Sequence, residues 1–122
     1  AYTVHKTLGP GLLESAYQAA LSYDLVQRGL KVQNELALPI AYKGIKIDAG
    51  YRLDMLVESM IIVENKTVDR LMPVHKAQLL TYLKLSNLKI GFLINWNSVL
   101  IKNGLMRMVY HYNDRPKNAL RT

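Results

Sequence analysis

The chain has 122 residues and a net charge of +7, with half of its residues hydrophobic and no cysteine. That length suits one domain able to bury a core, and the cysteine count excludes disulfides and thiolate metal sites, which is compatible with a reducing, cytoplasmic location. No apolar run approaches the ~18 residues of a membrane span, so no membrane partner is expected.

Sixteen Lys and Arg stand against nine Asp and Glu, an excess that favours a polyanionic partner such as nucleic acid. The basic residues are scattered and form no tail. Nothing reads as a signal peptide, and the chain opens on Ala1 without methionine, as a trimmed fragment lacking the start of its first helix would.

In chain order, Val4–Leu8 reads as the end of an early helix. From about Pro10 to Arg28, Leu13, Tyr17, Ala20, Leu21 and Asp24 or Leu25 recur at helical spacing. Pro10 suits a first turn, Glu14 complements the dipole there, and Gly29 stops the helix. The period then changes to two. Leu36, Leu38, Ile40 and Tyr42 alternate with smaller residues up to a tight turn at Lys43-Gly44. A longer strand follows, with Ile45, Ile47, Ala49, Tyr51, Leu53, Met55 and Val57 on one face and Lys46, Asp48, Arg52, Asp54 and Glu58 on the other. Gly50 is a candidate bulge in it.

Met60–Thr67 is the next strand, with Glu64 and Lys66 sharing the face of Ile62. The loop around Ser59 decides the pairing. A three-residue loop puts Asp54 opposite Glu64, whereas a two-residue loop puts it opposite Asn65; only the odd loop, or a bulge, brings the carboxylates together. Pro73 opens a helix to about Leu85, with Ala77, Leu79, Leu80 and Leu83 inward and His75, Gln78 and Tyr82 along one polar stripe. Ile90–Trp96 is a buried strand. Val99–Lys102 and Leu105–Tyr110 read as a last hairpin around Asn103-Gly104. Residues 1–113 then form a single mixed α/β domain, and 114–122 a polar, flexible tail.

Asp54 followed by Glu64-x-Lys66 is the constellation that carries chemistry. Phosphodiester hydrolysis needs a hard cation to neutralise phosphoryl charge, and carboxylates are its natural ligands. A neighbouring lysine can orient water and stabilise developing negative charge. Four Glu and ten Lys give about 0.3 Glu-x-Lys by chance, so the tripeptide alone reads equally as a surface ion pair. Other candidates also have plain structural readings: Glu14 as a dipole partner, Tyr17 as a core aromatic with a wet hydroxyl, Gln78 and Tyr82 as solvent-facing polar positions, His75 as a helix-start residue, and Trp96 as packing.

Gly11-Leu-Leu-Glu14-Ser-Ala-Tyr17 matches a Gly-x-x-Glu-x-x-Tyr signature. Together with Pro39–Gly44, Gly50-Tyr-Arg-Leu-Asp54, Ile62-Val-Glu-Asn-Lys66, His75–Lys84 and Gly91–Asn97, it makes the chain resemble the GxxExxY proteins, a family similar to PD-(D/E)XK nucleases. The resemblance implies an α-β-β-β-α-β core with a mixed sheet flanked by helices, and a Mg2+-dependent nuclease (Mn2+ substituting) that cleaves DNA or RNA. It assigns Asp54 and Glu64 as metal-binding acids, Lys66 as the catalytic lysine, Glu14 as an additional acid near the metal, and Gln78 and Tyr82 as helix residues lining the site. Two positions depart from the superfamily pattern. Leu53 replaces the proline before the first acid, and Asn65 stands where an apolar residue usually packs, which predicts a wetter core there. A nucleic-acid-binding module with a weakened site and an accessory domain with a protein partner are the alternatives; steep salt dependence of nucleic-acid binding argues against the latter.

Overall fold

A computed structural model describes residues 1–110; the tail expected at 114–122 lies outside the described residues. Two helices come first, α1 (Tyr2–Leu8) and α2 (Glu14–Gln27). α2 starts later than the Pro10 expected from periodicity, because Gly9 and Gly11 adopt φ of 70° and 101°, a left-handed conformation that a helix cannot continue through. Leu13, expected inward, is therefore the residue before the helix and is 77% exposed. Tyr17 and Leu21 are buried as the periodicity requires.

A five-stranded sheet runs in the order β1 (Val32–Ala37), β4 (Arg52–Val57), β5 (Ile61–Lys66), β6 (Ile90–Asn95) and β7 (Leu105–Val109). Only β5 and β6 pair in parallel, joined through α3 (Pro73–Ser86). The strand expected from Leu36 to Tyr42 is divided. Pro39 has no N–H to offer a ladder, so β1 ends at Ala37, and β2 (Ile40–Tyr42) pairs instead with β3 (Ile45–Ile47) as a separate hairpin. Its Lys43-Gly44 turn has positive φ at both residues and pairs Tyr42 with Ile45 and Ile40 with Ile47, the expected register. The long strand expected from Ile45 to Val57 is also broken. Asp48 accepts a hydrogen bond from the Gly50 N–H at 3.2 Å, a local turn that displaces the ladder, and Ile45, Ile47 and Tyr51 stay exposed.

Each sheet face carries its own core. Tyr17 and Leu21 of α2 pack with Met55, Val57, Val63, Ile94 and Trp96 on one side, joined by Val4. Leu79, Tyr82 and Leu83 of α3 pack with Leu53, Leu56, Ile62 and Leu93 on the other. Leu79 is fully buried, whereas Ala77, expected inward, is exposed. Gly91 of β6 lets α3 approach closely, since a Cβ there would lie 2.9 Å from the Leu79 side chain.

The C-terminal hairpin is not formed as read from the sequence. Residues Ile101–Gly104 make a short helical turn, α4, whose Ile101 is buried against the α2-side core. β7 pairs antiparallel with β6 rather than with residues 99–102. The Asn-Gly signal was met by the end of that turn, and the open edge of β6 took up the strand.

Candidate active site

The parity of one loop sets the arrangement. β4 and β5 pair Val57 with Ile61, Leu56 with Ile62 and Met55 with Val63, so Glu58-Ser59-Met60 is the odd-length loop. Glu58 and Ser59 both take φ of 55° to close it. The register brings Asp54 and Glu64 together, and beyond Met55 the carboxylates take over from the backbone ladder. Glu64 Oε2 accepts from the Asp54 N–H at 2.9 Å, and Asp54 Oδ2 accepts from the Asn65 N–H at 2.8 Å. Each acid thus keeps its second oxygen outside this reciprocal brace.

Strand geometry changes at the same point. Leu53 belongs to the α3-side core and Met55 to the α2-side core, although an unbroken pleat puts residues two apart on one face. The break falls at Asp54. On β1, between the partners of Leu53 and Met55, Glu35 has φ of 53°, so both strands turn over together.

Electrostatically the acids are under strain. Burial, then the charge of Asp54, pushes the Glu64 carboxyl up to about 8; the Asp54 N–H and Lys66 only partly oppose this. Asp54 is also raised, by burial first, against its Asn65 hydrogen bond and Lys66. Glu64 is 3% exposed and Asp54 less enclosed, so burial bears more heavily on Glu64.

Lys66 Nζ donates to Gln78 Oε1 at 3.1 Å, which aims the ammonium from the end of β5 toward α3. Tyr82, one helical turn further, hydrogen-bonds with Gln78, and its hydroxyl is held above its ordinary value by burial and then by the negative charges of Glu64 and Asp54. It is 6% exposed, not solvent-facing. Asp54, Glu64, Lys66, Gln78 and Tyr82 therefore form one cluster at the end of the sheet. Glu14 is joined to it by charge rather than by contact: burial raises its carboxyl first, followed by Asp54, with Lys66 opposing. Among the described residues, no three His, Cys, Asp or Glu side chains converge as a preformed metal set. His75 serves the helix start, its Nδ1 accepting from the Met72 N–H at 2.8 Å.

Sequence reasoning missed Glu35 and Gln18. Glu35 acts on both Asp54 and Glu14 through its charge. Gln18 Nε2 donates to Glu35 Oε2 and to the Asp54 carbonyl, both at 3.0 Å. Neither residue carries a local signal, since their partners lie 17 and 36 positions away. Asn65 corrects the expectation of a wetter core. It is 0% exposed, and its side chain is bonded by Trp96 Nε1 at 2.9 Å and to Gln18 Oε1 at 3.3 Å.

A family model described as the PD-(D/E)XK nuclease superfamily matches residues 1–108. No curated protein and no solved structure matches the chain.

Proposed function

Because this chain belongs to the PD-(D/E)XK nuclease superfamily, we propose that it is a metal-dependent nuclease acting on DNA or RNA through Asp54, Glu64 and Lys66. The observation that carries the reading is the reciprocally braced acid pair, Glu64 buried and Asp54 partly so. Burial raises both carboxyls first, and Lys66, which acts on both, offsets only part of the rise, so the pair would gain from a further positive charge. Two hard oxygen donors in that setting fit Mg2+, or Mn2+ in its place, with Glu14 of α2 coupled to them by charge. When bound, the cation neutralises phosphoryl oxygens and acidifies a nearby water. Lys66 orients that water and stabilises charge developing on the scissile phosphate. Gln78 holds the ammonium in place, and Tyr82 offers a hydroxyl beside the acids. The Gly11–Tyr17 signature supports placing the chain among the GxxExxY proteins.

One observation favours the binding-module alternative: Glu14 stands exposed in the first turn of α2 and does not complete a three-acid set. Incubation with single- and double-stranded DNA and RNA in Mg2+, Mn2+ or EDTA separates the two. The nuclease reading expects cleavage that needs metal and drops by about 100-fold or more in Lys66→Ala. Binding with no cleavage under any of these conditions establishes the module instead.

A further inference from the structure

Asn65 sits in a closed ring of hydrogen bonds around Asp54. Its main-chain N–H donates to Asp54 Oδ2 at 2.8 Å. Its side-chain Nδ2 donates to Gln18 Oε1 at 3.3 Å, and Gln18 Nε2 returns to the Asp54 carbonyl at 3.0 Å. The carboxylate and the main chain of Asp54 are thus both held from one residue. An amide can face either way, and the groups it meets outside the ring decide which. Trp96 Nε1 can only donate, and it meets Asn65 Oδ1 at 2.9 Å. With the oxygen so committed, Nδ2 must face α2. Gln18 presents Oε1 to it and turns Nε2 to acceptors alone, the Asp54 carbonyl, Glu35 Oε2 and Asn34 Oδ1, so Asn65 and these acceptors enforce one orientation together. Turning either amide over would set donor against donor and oxygen against oxygen.

The indole itself has no freedom. Trp96 is 0% exposed, stacks on Tyr17 with ring centroids 5.0 Å apart and planes 3° from parallel, and donates its main-chain N–H to the Lys66 carbonyl at 2.9 Å. Tyr17 is fastened in turn, its hydroxyl donating to the Gly9 carbonyl and accepting from the Leu12 N–H. We infer that Trp96 and Asn65 are positioning residues, in which the indole N–H sets the Asn65 amide, Asn65 sets Gln18, and Gln18 fixes the strand at Asp54. The inference rests on reading Asp54 as a metal ligand, and it explains why an amide occupies the middle of Glu64-x-Lys66. Leucine there would leave the indole N–H unpaired in the core, and aspartate could not donate to Gln18.

The experiment compares wild type, Trp96→Phe, Asn65→Asp and the double variant by two readouts: the Gln18 side-chain amide resonances in 15N NMR, and Mn2+ affinity by calorimetry. Phenylalanine keeps an aromatic ring beside Tyr17 and removes the indole N–H together with the second ring, so the Gln18 amide is read beside a thermal melt that measures the cavity separately. The expected result is that the Gln18 amide, dispersed and slow to exchange in wild type, becomes averaged in Trp96→Phe, although Trp96 bonds Asn65 and not Gln18. Mn2+ affinity then falls by about 10- to 100-fold, as for other groups that orient metal ligands, and the double variant is no worse than the weaker single. An unchanged Gln18 amide, an Mn2+ affinity within about twofold of wild type, or losses that multiply in the double variant would overturn the relay. Should Trp96→Phe fail to fold, Gln18→Ala, at a half-buried position outside the core, tests the last link: an unchanged Mn2+ affinity refutes it. Wild type that binds no Mn2+ defeats the metal reading of Asp54, and the Gln18 amide alone then decides the relay.

Discussion

Glu64 links the chemistry of the cluster to the stability of the fold. Its carboxyl has an ordinary value of 4.5 when unfolded and rises to about 8 in the folded chain, through burial and then Asp54. The folded state therefore holds the proton more tightly. Stability from this group is fully present below about pH 4.5 and is lost as pH rises toward 8, the reverse of a carboxylate that gains a cationic partner. In EDTA, the melting temperature of wild type should fall between pH 5 and pH 8, and Glu64→Gln should flatten that part of the slope. The variant should melt no lower than wild type at pH 8, since it removes a repulsion. If it melts far below wild type there, Glu64 is instead the structural partner of Lys66, whose loss leaves a buried charge unpaired. At this scale Asp54, Glu64 and Lys66 stood out from local spacing, while that spacing leaves the length of the loop that pairs the two acids open between two and three residues. The role of Asn65 was not legible there, because its partners Gln18 and Trp96 lie 47 and 31 positions away.

Among the elements, α3 matters most, because it presents Gln78 and Tyr82 to the strand that carries Lys66. Its seat depends on Gly91, where an added Cβ would come within 2.9–3.2 Å of Leu79, itself 0% exposed. Gly91→Val should cost about 1–3 kcal/mol by overpacking. With Leu79→Ala added, the double variant should lose less than the sum of the two single losses, which a denaturant titration of both single variants and the double will read. Additive losses would show that the helix is not seated on this contact. Pro73 marked the start of α3, and helical spacing marked its length. The failures came where a local signal could be met in more than one way: the Asn103-Gly104 turn closed a helical turn, and Gly9 and Gly11 ended the periodic pattern ahead of α2.

On the scale of the whole molecule, the chain carries a net charge of +7, whereas its candidate site gathers the acids Glu14, Glu35, Asp54 and Glu64. The excess predicts oligonucleotide binding whose affinity falls steeply and linearly on logarithmic axes with salt. A flat response across a salt series would favour a protein partner over nucleic acid. The acidic centre predicts the opposite ionic preference for small ions: Mn2+ at a hundredfold excess over Kd should stabilise the fold by ~2.7 kcal/mol. Glu64→Gln should lose that gain in the same thermal melt. No helix among the described residues is long and apolar enough to cross a membrane.

Amphipathic period and turn residues belong to the sequence, because each depends on neighbours a few positions apart. They determined most of the elements and the β2–β3 register, and narrowed the meeting of Asp54 with Glu64 to the length of one loop. Tertiary structure decided the rest. It chose β6 as the partner of β7, turned β1 and β4 over together at Glu35 and Asp54, and closed the Gln18–Asn65–Trp96 ring. Those outcomes turn on which open edge, acceptor or charge lies across the fold, and a buried amide or sheet edge must find its partner wherever the packing brings one.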